Sequence, residues 1–485
     1  MLRYLLLAAP FFLFACGGPG ETARAAGSSN GTTAIPEAVG PARIEIQTTG
    51  IPAGRALLIG MYAGQQYRAD SADVDDKGFV AFERDEPYTQ GYYFAALPGQ
   101  KSLPMLIDQD QEFSFVFNAA DPLTTTVKGS KANELYYENL RYEQTLQPRR
   151  QEISQRIQGA PEGTPAHAAA IKKMEEFNTA NEAALQKTFQ ENPDNFYVKF
   201  KSAGQNPTVR NIRLPNGQPD QEAQLVAYRE DFWNNVDFND ERLIRTPVIS
   251  NKLRRYLEEI TVKHPDSLRR AIDLLMRQVP PGSEYFKYFA NKITLDYEPT
   301  KTDLMDAEAI YVYMIQNYFT NERAFWSDSS EVMALQLRAK EMSQSLVGLK
   351  GPDVVSTDPQ GNKRSIYEMK APYIVVFMYN PDCSHCIEET PKLVKFYKEW
   401  KSKGVDIFAI AIDTDRDPWT NFIAKNGMTF TNVFDASNKS IYGKYYVDNT
   451  PEIYVLGPDR VIIAKNLKVN QIETVITRDM AKRGE

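Results

Sequence analysis

Cys383-Ser384-His385-Cys386 is the stretch of this chain best equipped for chemistry. The 485 residues include only 3 Cys and 3 His. On a helix, the Cβ atoms of positions i and i+3 lie about 5–6 Å apart. A disulfide needs about 3.8 Å, so this pair closes only with local adjustment in a first helical turn. Such a bond exchanges with other thiols rather than bracing a fold. Cys383 falls at the expected N-terminus of a helix, where free N–H groups and the macrodipole favour its thiolate. Thiols in such places drop from about 8.5 to about 3.5–7.5. His385 brings a positive charge or a hydrogen bond to that thiolate, and Asp382 and Ser384 border the pair and tune it. The competing reading is half a zinc site, which needs a second ligand pair. His167 and His264 lie far away in sequence, so no metal site is expected. An inert buried pair does not suit the polar neighbours Asp382, Ser384 and His385.

The elements that must hold this pair are legible on either side of it. Ile374–Tyr379 is an apolar run of the buried-strand type, and Asn380-Pro381-Asp382 is a turn. A helix is predicted from Cys383 to near Lys403, followed by a second buried strand at Val405–Ile412. Strand, helix and strand over about forty residues make a βαβ unit with a parallel sheet. A helix near 417–426 and a strand at 430–434 follow. Glu452–Leu456 and Arg460–Lys465 flank Gly457-Pro458-Asp459 as a hairpin, and 470–481 forms a closing helix.

Several segments carry a family likeness: Val347-Gly348-Leu349-Lys350-Gly351-Pro352-Asp353, Gly361-Asn362-Lys363, Cys386-Ile387-Glu388-Glu389-Thr390-Pro391, Ala411-Ile412-Asp413 and Thr450-Pro451-Glu452-Ile453-Tyr454-Val455-Leu456. With them, residues 347–485 resemble the TlpA/ResA branch of the thioredoxin superfamily, close to the AhpC/TSA group. The resemblance implies a thioredoxin-like α/β fold and thiol–disulfide oxidoreductase activity. Cys383 would attack a substrate disulfide and Cys386 would resolve the mixed disulfide, so Cys383–Cys386 is the redox-active pair. Pro451 would be a cis-proline opposite the pair, with Thr450 pairing with the substrate backbone. Two positions depart from the pattern. Asp382 stands where the family has Trp, and the family's buried Glu falls near Ser365; Asp382 and Glu389 are the acids that would substitute. A peroxidatic Pro-x-x-x-Thr-x-x-Cys is absent: Val376 and Asn380 occupy the Pro and Thr positions before Cys383. No cofactor motif is visible. The expected partners are therefore disulfide-containing protein substrates and a protein that supplies or accepts electrons. Ser384-His385 is closer to the Pro-His of DsbA than to the Gly-Pro of thioredoxin. Those two couples differ by about 150 mV, about 7 kcal/mol, so two inner residues do not fix the direction. Membrane-tethered relatives point toward a reductase or isomerase.

The rest of the chain has other textures. Met1-Leu2-Arg3 precedes an apolar run to Ala15, which reads as a secretory signal peptide and is too short to span a membrane. Leu13-Phe14-Ala15-Cys16 looks like a lipobox, so 1–16 is a lipoprotein signal with Cys16 as the lipidated residue. Residues 17–38 form a Gly/Ala/Ser/Thr-rich tether. Gly17 and Gly18 stand where an inner-membrane retention Asp would, so the expected location is the outer membrane, facing the periplasm. Residues 39–128 alternate as short strands between polar turns, as in a β-sandwich. Residues 129–346 carry helical periodicity, as over 168–190, 219–236, 267–278 and 305–319. In this part His264 is a turn residue, His167 lies in a loose Pro/Ala stretch, and 232–240 is a helix end rich in Asx turns. The predicted fold class is therefore multi-domain: a β-rich sandwich-like domain (39–128), a central all-α region (129–346) and a C-terminal thioredoxin-like α/β domain (347–485). Formal net charge is -7 and no basic stripe stands out, which argues against nucleic acid. A rival function follows from the large share of the chain outside 347–485. It is a client-binding or assembly lipoprotein whose thioredoxin-like domain is a docking module.

Overall fold

Alternation of apolar and polar residues builds the first region. In β1 (Ala42–Thr49), Ala42, Ile44, Ile46 and Thr48 are buried while the residues between them face outward. The structure is a computed structural model that describes residues 38–301 and 305–484. The expected signal peptide, Cys16 and the expected tether up to residue 37 lie outside the described residues. After β1 come β2 (Gly54–Tyr62), β3 (Gln65–Val74), β4 (Phe79–Arg84), β5 (Gly91–Leu97), β6 (Lys101–Ile107), β7 (Glu112–Asn118) and β8 (Thr126–Lys128). They form two four-stranded sheets, ordered β4-β1-β7-β8 and β3-β2-β5-β6. Ile44, Leu58, Phe82, Tyr93, Met105 and Phe115 from both sheets share one core.

Helices follow: α1 (Lys131–Gly159), α2 (Pro165–Glu191), α3 (Phe196–Ala203), α4 (Gln221–Asp231), α5 (Pro247–Glu258), α6 (Pro265–Met276), α7 (Glu284–Asp296), α8 (Glu308–Tyr318) and α9 (Ser329–Met342). Polar side chains set several of the starts. Ser130, Thr164, Asp220, Ser283 and Asp328 each accept a first-turn N–H. His264 caps α6 in the same way, its Nδ1 accepting from Asp266 N–H at 3.3 Å. Two expectations need correction here. His167 lies in the first turn of α2, not in a loose stretch. Pro165 begins that helix, where its fixed φ helps and no hydrogen bond is lost. The helix expected over 219–236 stops at Asp231, because Phe232 and Trp233, each 1% exposed, turn into the core. Asp237 and Asp240 then take the N–H groups of Asn239 and Arg242, as Asx turns do.

Two buried polar contacts bind the sandwich to the helices. The Asn133 amide accepts from Leu106 N–H at 2.8 Å and donates to Leu106 C=O at 2.6 Å, completing the backbone of β6. Arg242 donates to Asp240 at 2.8 and 2.7 Å and to Asp108 at 2.7 Å, with its guanidinium over the Phe196 ring. Removing one partner from such a buried set leaves an uncompensated charge, which costs about 3–5 kcal/mol.

The last region contains β9 (Val355–Thr357), β10 (Lys363–Ser365), β11 (Tyr373–Tyr379), α10 (Ser384–Trp400), β12 (Val405–Ile412), α11 (Arg416–Asn426), β13 (Thr431–Asp435), α12 (Lys439–Tyr445), β14 (Glu452–Leu456), β15 (Ile462–Ala464) and α13 (Val469–Arg483). Its sheet runs β10-β9-β13-β12-β11-β14-β15. Every residue of β11 is buried, as a central strand covered on both faces requires. It pairs parallel with β12 and antiparallel with β14. Leu393, Trp419 and Ile472 from α10, α11 and α13 pack on one face; Ile441 and Tyr445 from α12 pack on the other. Tyr446 joins the helical core instead, and Arg338 of α9 donates to its hydroxyl at 2.7 Å. Among the described residues no helix is long and apolar enough to cross a membrane.

Candidate active site

β11 delivers the chain to the turn Asn380-Pro381-Asp382. The Asn380 side chain fixes that turn, accepting from Asp382 N–H at 2.8 Å and donating to the carbonyls of Ile412 and Asp413 at 3.2 and 3.0 Å. The turn is thereby tied to the end of β12. Cys383 follows as the N-cap residue of α10, with φ -76° and ψ 123°. Its carbonyl accepts the N–H of Ile387 at 3.0 Å. Cys386, one turn on, is fully buried, whereas Cys383 is half-buried; both are free thiols. Thr390 Oγ1 donates to the Cys386 carbonyl at 2.7 Å. Across from them the Thr450–Pro451 peptide is cis. Cys383 Sγ donates to the Thr450 carbonyl at 3.2 Å.

The two thiols are driven apart electrostatically. Burial pushes the Cys383 thiol up, but four hydrogen bonds outweigh it and bring it below the ordinary thiol value. They involve the side chains of Thr450 and Cys386 and the backbone N–H groups of Cys386 and His385. Charge-assisted bonds of this kind favour the thiolate, as expected at a helix N-terminus. Cys386 has the opposite balance. Burial dominates, the nearby Cys383 adds to it, and its thiol is pushed up to about 12. The site thus holds one sulfur primed as a nucleophile and one kept protonated behind it.

Residues 347–472 match the AhpC/TSA family, and 176–338 match a domain of unknown function, DUF5106. The thiol-disulfide oxidoreductase ResA of Bacillus anthracis is 27% identical over 117 residues, covering 24% of this chain and 67% of that protein. The chain carries a TlpA/ResA-like domain of the thioredoxin family. It is an enzyme of the thiol–disulfide oxidoreductase class. ResA of Bacillus subtilis (strain 168) is 24% identical over 116 residues, 24% of this chain and 64% of that one. Among solved structures, a domain of a possible thiol-disulfide isomerase from Cytophaga hutchinsonii ATCC 33406 is 29% identical, covers 29% of this chain and 97% of its own, and has a TM-score of 0.27. A thioredoxin-like protein from Bacteroides caccae ATCC 43185 is 20% identical, covers 56% of this chain and 99% of its own, and has a TM-score of 0.43.

Within this thioredoxin-family domain, Cys383, Cys386, Thr450 and Pro451 come together. Asp382, Ser384 and His385 lie at the surface side of the pair. His385 acts on Cys383 through its backbone N–H; among the described residues no side chain of these three bonds to either sulfur. Glu389 is occupied elsewhere, taking the Lys392 ammonium at 2.7 Å and the Val469 N–H at 3.1 Å. Ser365 donates to the Asp353 carboxylate at 2.9 and 2.8 Å. Two residues near the site escape motif reading. Tyr379, buried at the end of β11, has its phenol pushed up, mainly by burial and partly by the charge of Cys386. Glu452 directly follows Pro451, and burial pushes its carboxyl up to about 8. An acid opening an otherwise apolar strand was the available signal.

Proposed function

We propose that this chain is a lipid-anchored, periplasm-facing thiol–disulfide oxidoreductase that works as a reductase or isomerase on protein disulfides. The observation that carries this reading is the asymmetry of the pair: Cys383 accessible and favoured as thiolate, Cys386 buried and protonated, both facing the cis Thr450–Pro451 bond.

The steps follow from that asymmetry. The Cys383 thiolate attacks one sulfur of a substrate disulfide. The substrate S–S bond breaks, a Cys383–substrate bond forms, and the departing substrate thiolate takes a proton. Cys386 then loses its proton and attacks Cys383 Sγ. This expels the second substrate thiol and leaves the Cys383–Cys386 disulfide. Two electrons have passed from the dithiol to the substrate. A dithiol protein partner returns them by the reverse exchange. Thr450 offers its backbone beside Cys383, where an extended substrate segment can pair with it. In an isomerase the mixed disulfide is instead attacked by another substrate thiol, and Cys386 provides escape when none arrives.

The test is insulin-disulfide reduction by the full chain with dithiothreitol as electron source. Cys383→Ser is expected to abolish the catalysed rate, and Cys386→Ser to accumulate a mixed disulfide through Cys383. If Cys383→Ser retains full activity, the reading fails. If the variant loses activity while client binding and cellular function persist, the binding-lipoprotein alternative takes its place. The anchor has its own check: Cys16→Ala should move the protein from the membrane fraction to the soluble one.

A further inference from the structure

The exchange reaction uses none of the ionisable side chains buried between the helical region and the redox sheet. They form one cluster. Asp306 and Glu308, 3% and 5% exposed, come from the helical side, and Lys465, 2% exposed, from the end of β15. Glu452 opens β14. Lys465 Nζ lies 3.5 Å from Glu308 Oε1 and donates to the Ser345 carbonyl at 3.2 Å. Asn466 Nδ2 donates to the same Glu308 oxygen at 2.6 Å. Asp306 Oδ2 accepts from Val347 N–H at 3.3 Å. The Lys465 ammonium stands over the Tyr454 ring, and the Tyr454 hydroxyl donates to the Tyr445 carbonyl. Arg269 faces Asp306 from α6, and Arg338 of α9 faces the exposed Asp448.

Carboxyls outnumber buried ammonium groups in this cluster. Asp306 Oδ1 and Glu308 Oε2 are buried without a hydrogen-bond partner. An unpaired oxygen in such a place costs more when it carries charge than when it is neutral. The arrangement therefore holds protons at Asp306 and Glu452, the two carboxyls that burial raises. It is also wired to the redox site through the main chain. Glu452 follows Pro451, and the Thr450 carbonyl holds Cys383 Sγ. β15, which Lys465 directly follows, pairs with β14 through Val455 and Ala464.

We propose that this cluster makes the helical region a positioning element of the redox site: the protons it holds set the charge and seating of the 448–452 segment against which the Cys383 thiolate forms. The inference rests on Cys383 as the attacking thiol. It gives the helical region a part in the reaction that needs no contact with substrate.

The test is the rate of Cys383 alkylation by iodoacetamide from pH 5.5 to 9.5, on the fully reduced full chain. Alkylation reads the thiolate and requires no disulfide exchange, so a failure of the oxidoreductase reading leaves this test standing. The wild type should show a second inflection between about 7 and 8, where Asp306 and Glu452 ionise and the added negative charge opposes the thiolate. Asp306→Asn and Glu308→Gln on the helical side should remove or displace that inflection. Each should raise the rate above that inflection, where the wild-type carboxyls are ionised, by at most about threefold, the ceiling that half a pKa unit sets. Profiles that overlay the wild type for both variants overturn the proposal, even if Glu452→Gln alone moves the profile. If the variants do not fold, hydrogen exchange of the 447–453 amides in the wild type decides. Protection corrected for intrinsic rate should fall between pH 6 and 9, and a flat response overturns the proposal.

Discussion

Iodoacetamide given to the reduced protein at pH 7.5 will label Cys383 at least about thirty times faster than Cys386. The thiolate is the reacting species. Cys386 is held at about 12 and Cys383 below the ordinary 9.0, so the two differ by more than about 3 pKa units, and thiolate populations follow that gap tenfold per unit. Access acts in the same direction, since Cys386 is 0% exposed. A low-pKa thiol is intrinsically a somewhat weaker nucleophile, which recovers less than half of the gap on a logarithmic scale for Cys386. Burial of Cys386 then widens what is left. The measurement is mass spectrometry of peptides containing each cysteine after timed quenching. Equal labelling, or faster labelling of Cys386, would reverse the roles given to the two sulfurs. Thr450 supplies a second arm. Thr450→Val removes the hydroxyl that supports the Cys383 thiolate, so labelling at Cys383 should slow while Cys386 stays unreactive.

How much of this was legible in the sequence depends on the range over which each feature is written. The thiol pair was legible because exchange chemistry needs two sulfurs within one helical turn. That constraint is local and shows as Cys-x-x-Cys. β11 and β12 were legible because strands covered on both faces admit almost nothing polar. Thr450–Pro451 was found through family likeness, since its partner Cys383 lies 67 positions away. The rest depends on contacts that no short window contains. The sequence period runs past the true end of α4, because Phe232 and Trp233 continue it yet leave the helix for the core. The parallel pairing of β1 with β7 joins distant ends of the sandwich, while hairpin signals speak only for neighbours. By type and place in the sequence, the Asp382, Ser384 and His385 side chains are the ones expected to adjust the thiols. The structure gives that work to backbone N–H groups, which any residue type conceals, and to Thr450. Glu452 looks like a surface strand residue until Glu308, far earlier in the chain, and Lys465 are seen beside it.

That hidden acid makes the whole protein's stability depend on pH in an unusual direction. Burial is the main cause that pushes Glu452 from 4.5 up to about 8 and Asp306 from 3.8 up to about 7. In the unfolded chain both have largely released their protons by about pH 5. Between there and their folded values, the native state therefore binds more protons than the unfolded state, and stability falls as pH rises. The contribution is fully present below the unfolded pKa values and gone once pH passes the folded ones. From pH 5 to pH 8 the loss is on the order of 4 kcal/mol for Glu452 and about 3 kcal/mol for Asp306, as upper limits at about 1.4 kcal/mol per unit. Lys252 has the opposite sign, its ammonium depressed by burial to about 8, so it acts only above this window. The carboxylates held below their usual range, such as Asp358, Asp435 and Asp459, act below it. Urea unfolding at pH 5 and pH 8 should therefore show the wild type several kcal/mol weaker at the higher pH. Glu452→Gln and Asp306→Asn should each flatten that slope and leave the protein more stable than wild type at pH 8. Wild-type stability that is constant or rising over this range would mean that both carboxyls are ionised in the native state. The junction would then be held by charge pairing with Lys465 rather than by stored protons.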